Sequence, residues 1–236
     1  MFDTLLEDFE DRVREIDIYF QFLKAIDNDE LSIVQGVGKQ ELPLGKPSDD
    51  WARMLKGAAH VVLYNLVEAF IRRGFQAVFE TVEADQLCGS DLIDQFRLQW
   101  IEQRNRKTNA FDGSPKIYMT IANEIIHDVL AKRTAILHHE YLPVSGNINS
   151  DTVRSIFRRH GISLDIPDPD VAKGGETLTI VVNKRNSLSH GNESFVEVGR
   201  SLTANDLLQM KHDVVLYMRS VLQSLKTFAD GKSYKR

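Results

Sequence analysis

Between Gly175 and Phe195 a mostly apolar run ends in a tight polar cluster, Arg185-Asn186-Ser187-Leu188-Ser189-His190, closed by Gly191-Asn192. These residue types suit a phosphodiester. A guanidinium is permanently charged and takes a phosphate through two parallel hydrogen bonds. An imidazole is the side chain whose ordinary pKa lets it give and take protons near neutrality. If the run is helical, Asn186 and His190 stand four residues apart on one face. Arg185 lies about 100° from Asn186 around the axis, and its long side chain can swing into the same place. Similar Arg-to-His spacings occur at Arg53/His60, Arg133/His138, Arg133/His139 and Arg154/His160, but only Arg185 is followed directly by Asn at the end of an apolar run. The alternative is purely structural, with Arg185 paired to a carboxylate and His190 capping a helix C-terminus, where a cation is favoured.

Other candidate chemistry is thinner. His138-His139-Glu140 lacks the HExxH spacing and any evident further ligand, so no metal site is expected. GVGK at 36–39 lacks the GxxxxGK[ST] spacing, and Gln40 stands where the hydroxyl would be. No cofactor is indicated. The single cysteine, Cys88, excludes an internal disulfide and fits a reducing cytoplasm, and reads as a buried or incidental thiol.

The elements that must position the cluster are those of an ordinary globular chain: 236 residues, 42% hydrophobic and 27% charged, enough for one domain or at most two. No apolar run approaches the ~20 residues of a membrane span, so no membrane association is expected. The acidic N-terminus is the opposite of a targeting peptide. The net charge of −5 is uneven, because residues 1–30 alone carry −7. Basic groups recur at Arg97, Arg104, Arg106 and Lys107, at Arg154, Arg158 and Arg159, and at Lys232, Lys235 and Arg236. They are too few to identify a nucleic-acid binder, yet compatible with a positive groove.

Spacing predicts an all-α fold, a helical bundle of about six or seven helices with long loops. Phe2, Leu6, Phe9, Val13, Ile16, Phe20 and Leu23 give residues 2–26 a narrow apolar seam, fit to pair with another subunit or to pack on its own domain. Residues 29–48, rich in Gly and Pro, read as a loop. A long helix follows Asp49-Asp50, with Trp51, Leu55, Ala58, Val62, Leu66 and Ala69 as its stripe and His60, Tyr64, Asn65 and Glu68 on it or beside it. Gly74 is expected to kink or end that helix. Glu68 in so apolar a setting is expected to meet an arginine, a histidine or solvent. A helix over Asp91–Arg104 turns Ile93, Phe96, Trp100 and Ile101 inward, and 104–116 is a loop. A helix from Pro115 to about Ala135 buries Tyr118, Ile121, Ala122, Ile125, Val129 and Leu130. Ser150 is expected to cap a short helix that stops at Gly161, and 162–175 is a connection. LTIVV, β-branched though it is, is assigned to helix because a lone strand would lack a partner. Thr203 with Asp206 opens a last helix carrying Leu207, Met210, Val214, Tyr217, Val221, Leu225 and Phe228, and the tail from Asp230 reads as frayed. The chain is one domain over 1–236, with 1–28 as an amphipathic extension and 49–228 as the core.

Arg-Asn-x-x-x-His in the penultimate helix of such a domain resembles the HEPN superfamily, in particular its ribonuclease-toxin branch. NLVEAFIRR at 65–73 is similar to the branch's helix that packs beside the motif helix. The resemblance implies a homodimer whose motif helices face one another, cutting RNA without metal through the substrate's own 2′-hydroxyl. It implies that Arg185 holds the scissile phosphate, that His190 is general base or acid, that Asn186 bonds the phosphate or orients the histidine, and that Glu68 positions Arg185 or His190. Ser187, Ser189 and Asn65 would line the substrate. It further implies RNA as partner, tRNA among the candidates, and an antitoxin or regulatory protein or a phage-defence setting. The alternative is a non-catalytic HEPN-like module that binds a nucleotide or a protein.

Overall fold

The computed structural model describes residues 1–28, 30, 33–37, 40–45, 49–107, 115–142, 146–166 and 175–236. Its helices, in chain order, are α1 (Phe2–Asp27), α2 (Asp49–Ala84), α3 (Asp94–Lys107), α4 (Pro115–Leu130), α5 (Ser150–Arg159), α6 (Glu176–Ser189), α7 (Phe195–Gly199) and α8 (Ala204–Asp230). Gly38 and Lys39, and residues 108–114 and 167–174 within the expected 104–116 and 162–175 connections, lie outside the described residues. Where residues 29–48 are described, the expected loop is a hairpin. Strands β1 (Ile33–Val37) and β2 (Gln40–Gly45) pair antiparallel, Val37 opposite Gln40. Gly and Pro punctuate this stretch, and a two-residue gap between short runs is hairpin spacing as well as loop composition. The fold is otherwise all-α.

The molecule is built around α2. At 36 residues it is about 54 Å long, and it packs against α1, α6, α7 and α8. By length and composition alone it is apolar enough to cross a membrane, but here it is the central helix of the bundle. Its buried side is broader than one stripe. Ala59, Leu63, Tyr64, Val67, Ile71, Phe75 and Val78 are sealed, while Trp51, placed in the core by spacing, is 52% exposed and Ala69 also faces out. Gly74 neither kinks nor ends the helix. A Cβ there would sit 2.6 Å from Leu225 Cδ1, so the glycine lets α8 approach. The crossing with α7 is closer still, because a Cβ on Gly57 would meet the Phe195 carbonyl and one on Gly199 the Arg53 carbonyl.

Helix α1 lies along α2 and α8 and buries Phe2, Leu5, Phe9, Val13, Ile16, Phe20 and Leu23. Phe9 meets the Phe70 ring edge-on with centroids 5.1 Å apart. Of the two uses open to the seam, packing on its own domain is the one adopted. Most acids of α1 are matched within the chain. Arg219 holds Glu10 at 2.8 and 2.7 Å, Lys211 reaches Asp17 at 2.5 Å, and Arg73 and Lys56 pair with Asp8 and Asp27. The arginine beside Glu10 holds its carboxyl below the usual carboxylate range.

Helix α4 departs from expectation. Ile121 is buried, but Tyr118, Ile126 and Leu130 are exposed, Leu130 by 79%. Periodicity shows that a helix has an apolar face; it cannot show that a partner covers it. The tail also departs, in the opposite direction. Tyr234 is fully buried, its hydroxyl donates to Asp85 at 2.7 Å, and its carbonyl accepts from Ile93 N–H. Hydrogen bonds from Lys232, Lys235 and Tyr234 hold the Asp85 carboxyl far below its ordinary value. One buried aromatic pins a tail whose composition reads as frayed.

Candidate functional site

Helix α6 starts at Gly175, whose φ of 90° no side chain adopts readily. Leu178, Val181 and Val182 face inward toward α2 and α8, and the Thr177 hydroxyl donates to Asp213 on α8 at 2.9 Å. Burial on one face makes a helix of β-branched residues that propensity alone assigns to a strand. The helix ends with His190 as its cap. Gly191, at φ 70°, turns the chain so that its own N–H reaches Leu188 O and Asn192 N–H reaches Ser187 O at 2.9 Å. This is the paired C-terminal closure that glycine permits. It leaves His190 exposed at the tip, and its ring makes no hydrogen bond with the described residues.

Arg185 is half-buried and held from three sides. Its guanidinium lies 4.3 Å from the Tyr64 ring centroid. Nη1 donates to Gly146 O at 3.2 Å and to Asn186 Oδ1 at 3.0 Å. Asn186 Nδ2 donates in turn to Asn147 Oδ1. The loop ahead of α5 thus reaches across to the motif, and its other end is secured where Asn149, not Ser150, caps α5 by accepting from Thr152 N–H at 2.8 Å. Tyr64 is wholly buried; burial, with the charge of Glu68 added, raises its pKa.

The structure therefore joins Arg185 and Asn186 to Tyr64, Gly146 and Asn147, and sets His190 about one turn further on as the exposed cap of α6, with no contact to Arg185 among the described residues. Other candidates face elsewhere. Glu68 pairs with Arg72 at 3.0 Å, and no ion pair or hydrogen bond joins it to Arg185 or His190 among the described residues. Its link to the site is through Tyr64. Ser187 turns to Glu193, whose carboxyl is held below the usual range by Lys184 first and Ser187 second. Ser189 is exposed at the tip. Asn65 lies on the flank of α2 that faces α1, beside Arg12, Ile16 and Leu66. His60 is buried near Lys184, burial lowers its pKa, and its Nδ1 is bonded to Gly57 O at 3.2 Å. Among the described residues no group of three or more His, Cys, Asp or Glu is placed to hold a metal. A cavity of about 880 Å³ between α1 and α8, lined by Leu6, Glu10, Leu164 and Arg219, takes in no motif residue. The motif stands on an open face.

Tyr64, Gly146 and Asn147 escape sequence reasoning. Tyr64 is placed only on or beside the α2 stripe, with no role at the motif, and the other two lie 39 residues from their partners in an unpatterned loop. A family model described as MAE_28990-like HEPN matches residues 1–234, and the chain belongs to that HEPN family. The match takes in α1. No curated protein and no solved structure matches the chain.

Proposed function

We propose that the protein is a metal-independent endoribonuclease of HEPN type, acting as a homodimer. The observation that carries this reading is the presence, on the last turns of one helix, of an anchored guanidinium and an exposed imidazole that has no hydrogen-bond partner among the described residues. Arg185 would hold the scissile phosphate and offset the charge that builds on its oxygens. His190 would take the proton from the ribose 2′-hydroxyl or give one to the departing 5′-oxygen. The 2′-oxygen attacks phosphorus, the P–O5′ bond breaks, and the products are a 2′,3′-cyclic phosphate and a 5′-hydroxyl. A second copy, its α6 tip opposite the first, would supply a second histidine so that one accepts and the other donates. This use also suits a site on an open face, which by itself encloses no substrate. RNA, with tRNA among the candidates, is the substrate class, and an antitoxin or regulatory partner and a cytoplasmic setting belong to the same reading.

The test of the reaction is a defined RNA whose cleaved position carries a 2′-hydroxyl, 2′-deoxy or 2′-O-methyl group. Cleavage confined to the first, with cyclic-phosphate ends, is expected. Equal cleavage of the 2′-deoxy strand rules the mechanism out.

A further inference from the structure

We infer that Tyr64 and Asn147 are positioning residues that set the Arg185 guanidinium so that its Nε–Nη2 edge is the one offered to a phosphate. A guanidinium has five N–H donors, two of them on Nη1. Both Nη1 donors are already engaged, one by Gly146 O and one by Asn186 Oδ1. The remaining donors, on Nε and Nη2, form the parallel fork that matches two phosphate oxygens.

Two contacts fix which way that fork points. The Tyr64 ring carries one face of the guanidinium at 4.3 Å, which restrains its plane. The Asn186 amide has an oxygen and a nitrogen at one end, and only one orientation gives Arg185 an acceptor. Asn147 decides it. Its Oδ1 takes the Asn186 Nδ2 donor, which leaves the Asn186 oxygen for Nη1. Asn186 is thereby committed to Arg185 on one side and Asn147 on the other, a different role from bonding the phosphate or orienting His190. The Tyr64 hydroxyl, buried with no hydrogen bond of ordinary geometry among the described residues, is not one of the contacts that hold Arg185. What the position supplies is a flat π face at the back of the arginine.

The inference deepens the ribonuclease reading and rests on it for the reaction, but it concerns phosphodiester binding and is tested there. The probe is a 2′-O-methyl RNA oligonucleotide, which keeps the phosphates and cannot be cut through its 2′-oxygen. Affinity is measured at low salt for Tyr64→Leu, Tyr64→Phe and Asn147→Ala, each with Arg185 intact and with Arg185→Ala. Tyr64→Leu should weaken binding roughly 10-fold, the scale of a partly desolvated cation–π contact. Asn147→Ala should weaken it about 5-fold, the scale of one hydrogen bond. Tyr64→Phe, which keeps the ring, should recover the Tyr64→Leu loss. With Arg185→Ala, none of the three should add a further loss, because each acts through that arginine. Losses of equal size in the two backgrounds, binding that does not depend on Arg185, or Tyr64→Leu binding as tightly as the unaltered protein would each overturn the inference. Cleavage of the matching 2′-hydroxyl oligonucleotide is read separately. If it is absent while the cycle holds, the ribonuclease reading falls and the positioning of Arg185 stands.

Discussion

Along α1 most acidic side chains are answered from within the chain, Glu10 by Arg219, Asp17 by Lys211, Asp8 by Arg73, above a seam of sealed aromatics and aliphatics. At the tip of α6 the polar groups are answered on one side only. Arg185 has a ring behind it and a carbonyl and an amide at one end, while His190 stands exposed. Both regions hang on α2, so the difference is one of finish, not of scaffold. A region that completes its own hydrogen bonds and charge pairs does structural service. A region that stops halfway, with the open half bearing a guanidinium and an imidazole, is prepared for something outside the chain. The molecule's histidines repeat the contrast. His160 is sealed among Phe75, Phe79 and Phe96 with Nδ1 donating to Ile156 O at 2.7 Å, whereas His190 is exposed and has no hydrogen bond with the described residues.

The contrast breaks most readily at the seam. Phe9→Ala removes a ring that is 0% exposed and packs on Phe70, and should cost roughly 3–5 kcal/mol in urea unfolding. Cleavage per folded molecule should be unchanged, since α1 holds up the scaffold without touching the α6 tip. A smaller effect comes from acid. Burial pushes the His160 pKa down from 6.5 to about 4. The unfolded chain takes up this proton as pH falls below about 6.5, and the folded chain does so only near 4. Stability from this group is therefore complete above pH 6.5 and is lost between about 6.5 and 4, by about 3 kcal/mol in all. Unfolding midpoints at a series of pH values measure the loss, and NMR of the His160 ring should show it neutral throughout the first half of that window. Smallest of all should be the stability change in His190→Ala, within about 0.5 kcal/mol, as for an exposed side chain at a helix tip. A large loss there would mean that the α6 tip is a structural cap after all.

The sequence makes the seam more legible than the site. Six of the seven residues assigned to the α1 seam are buried, with Leu5 taking the seventh place beside a half-buried Leu6, because a helix packed along its length obeys its period. The stripe of α8 holds for the same reason, with Met210 only partly buried. Period fails where burial is not one-sided or not present. On α2, neighbours on several sides bury a broad surface and leave Trp51 out; on α4 the stripe exists and little covers it. At the site, the motif itself is local in sequence and readable. Its supports are not, since Gly146 and Asn147 become neighbours of Arg185 only through folding, and Tyr64 is only a residue on or beside the α2 stripe until a guanidinium is found on its ring. Glu68, chosen for being acidic beside the motif helix, is instead one step removed, paired to Arg72 and acting on Tyr64.

The most direct test of the central claim is cleavage of total RNA and of tRNA in excess EDTA, comparing the unaltered protein with Arg185→Ala and His190→Ala at matched folded fraction. The account predicts cutting that survives chelation and disappears in both variants. An unaltered protein that cuts none of these RNAs, or a His190→Ala protein that cuts as well as the original, would contradict it.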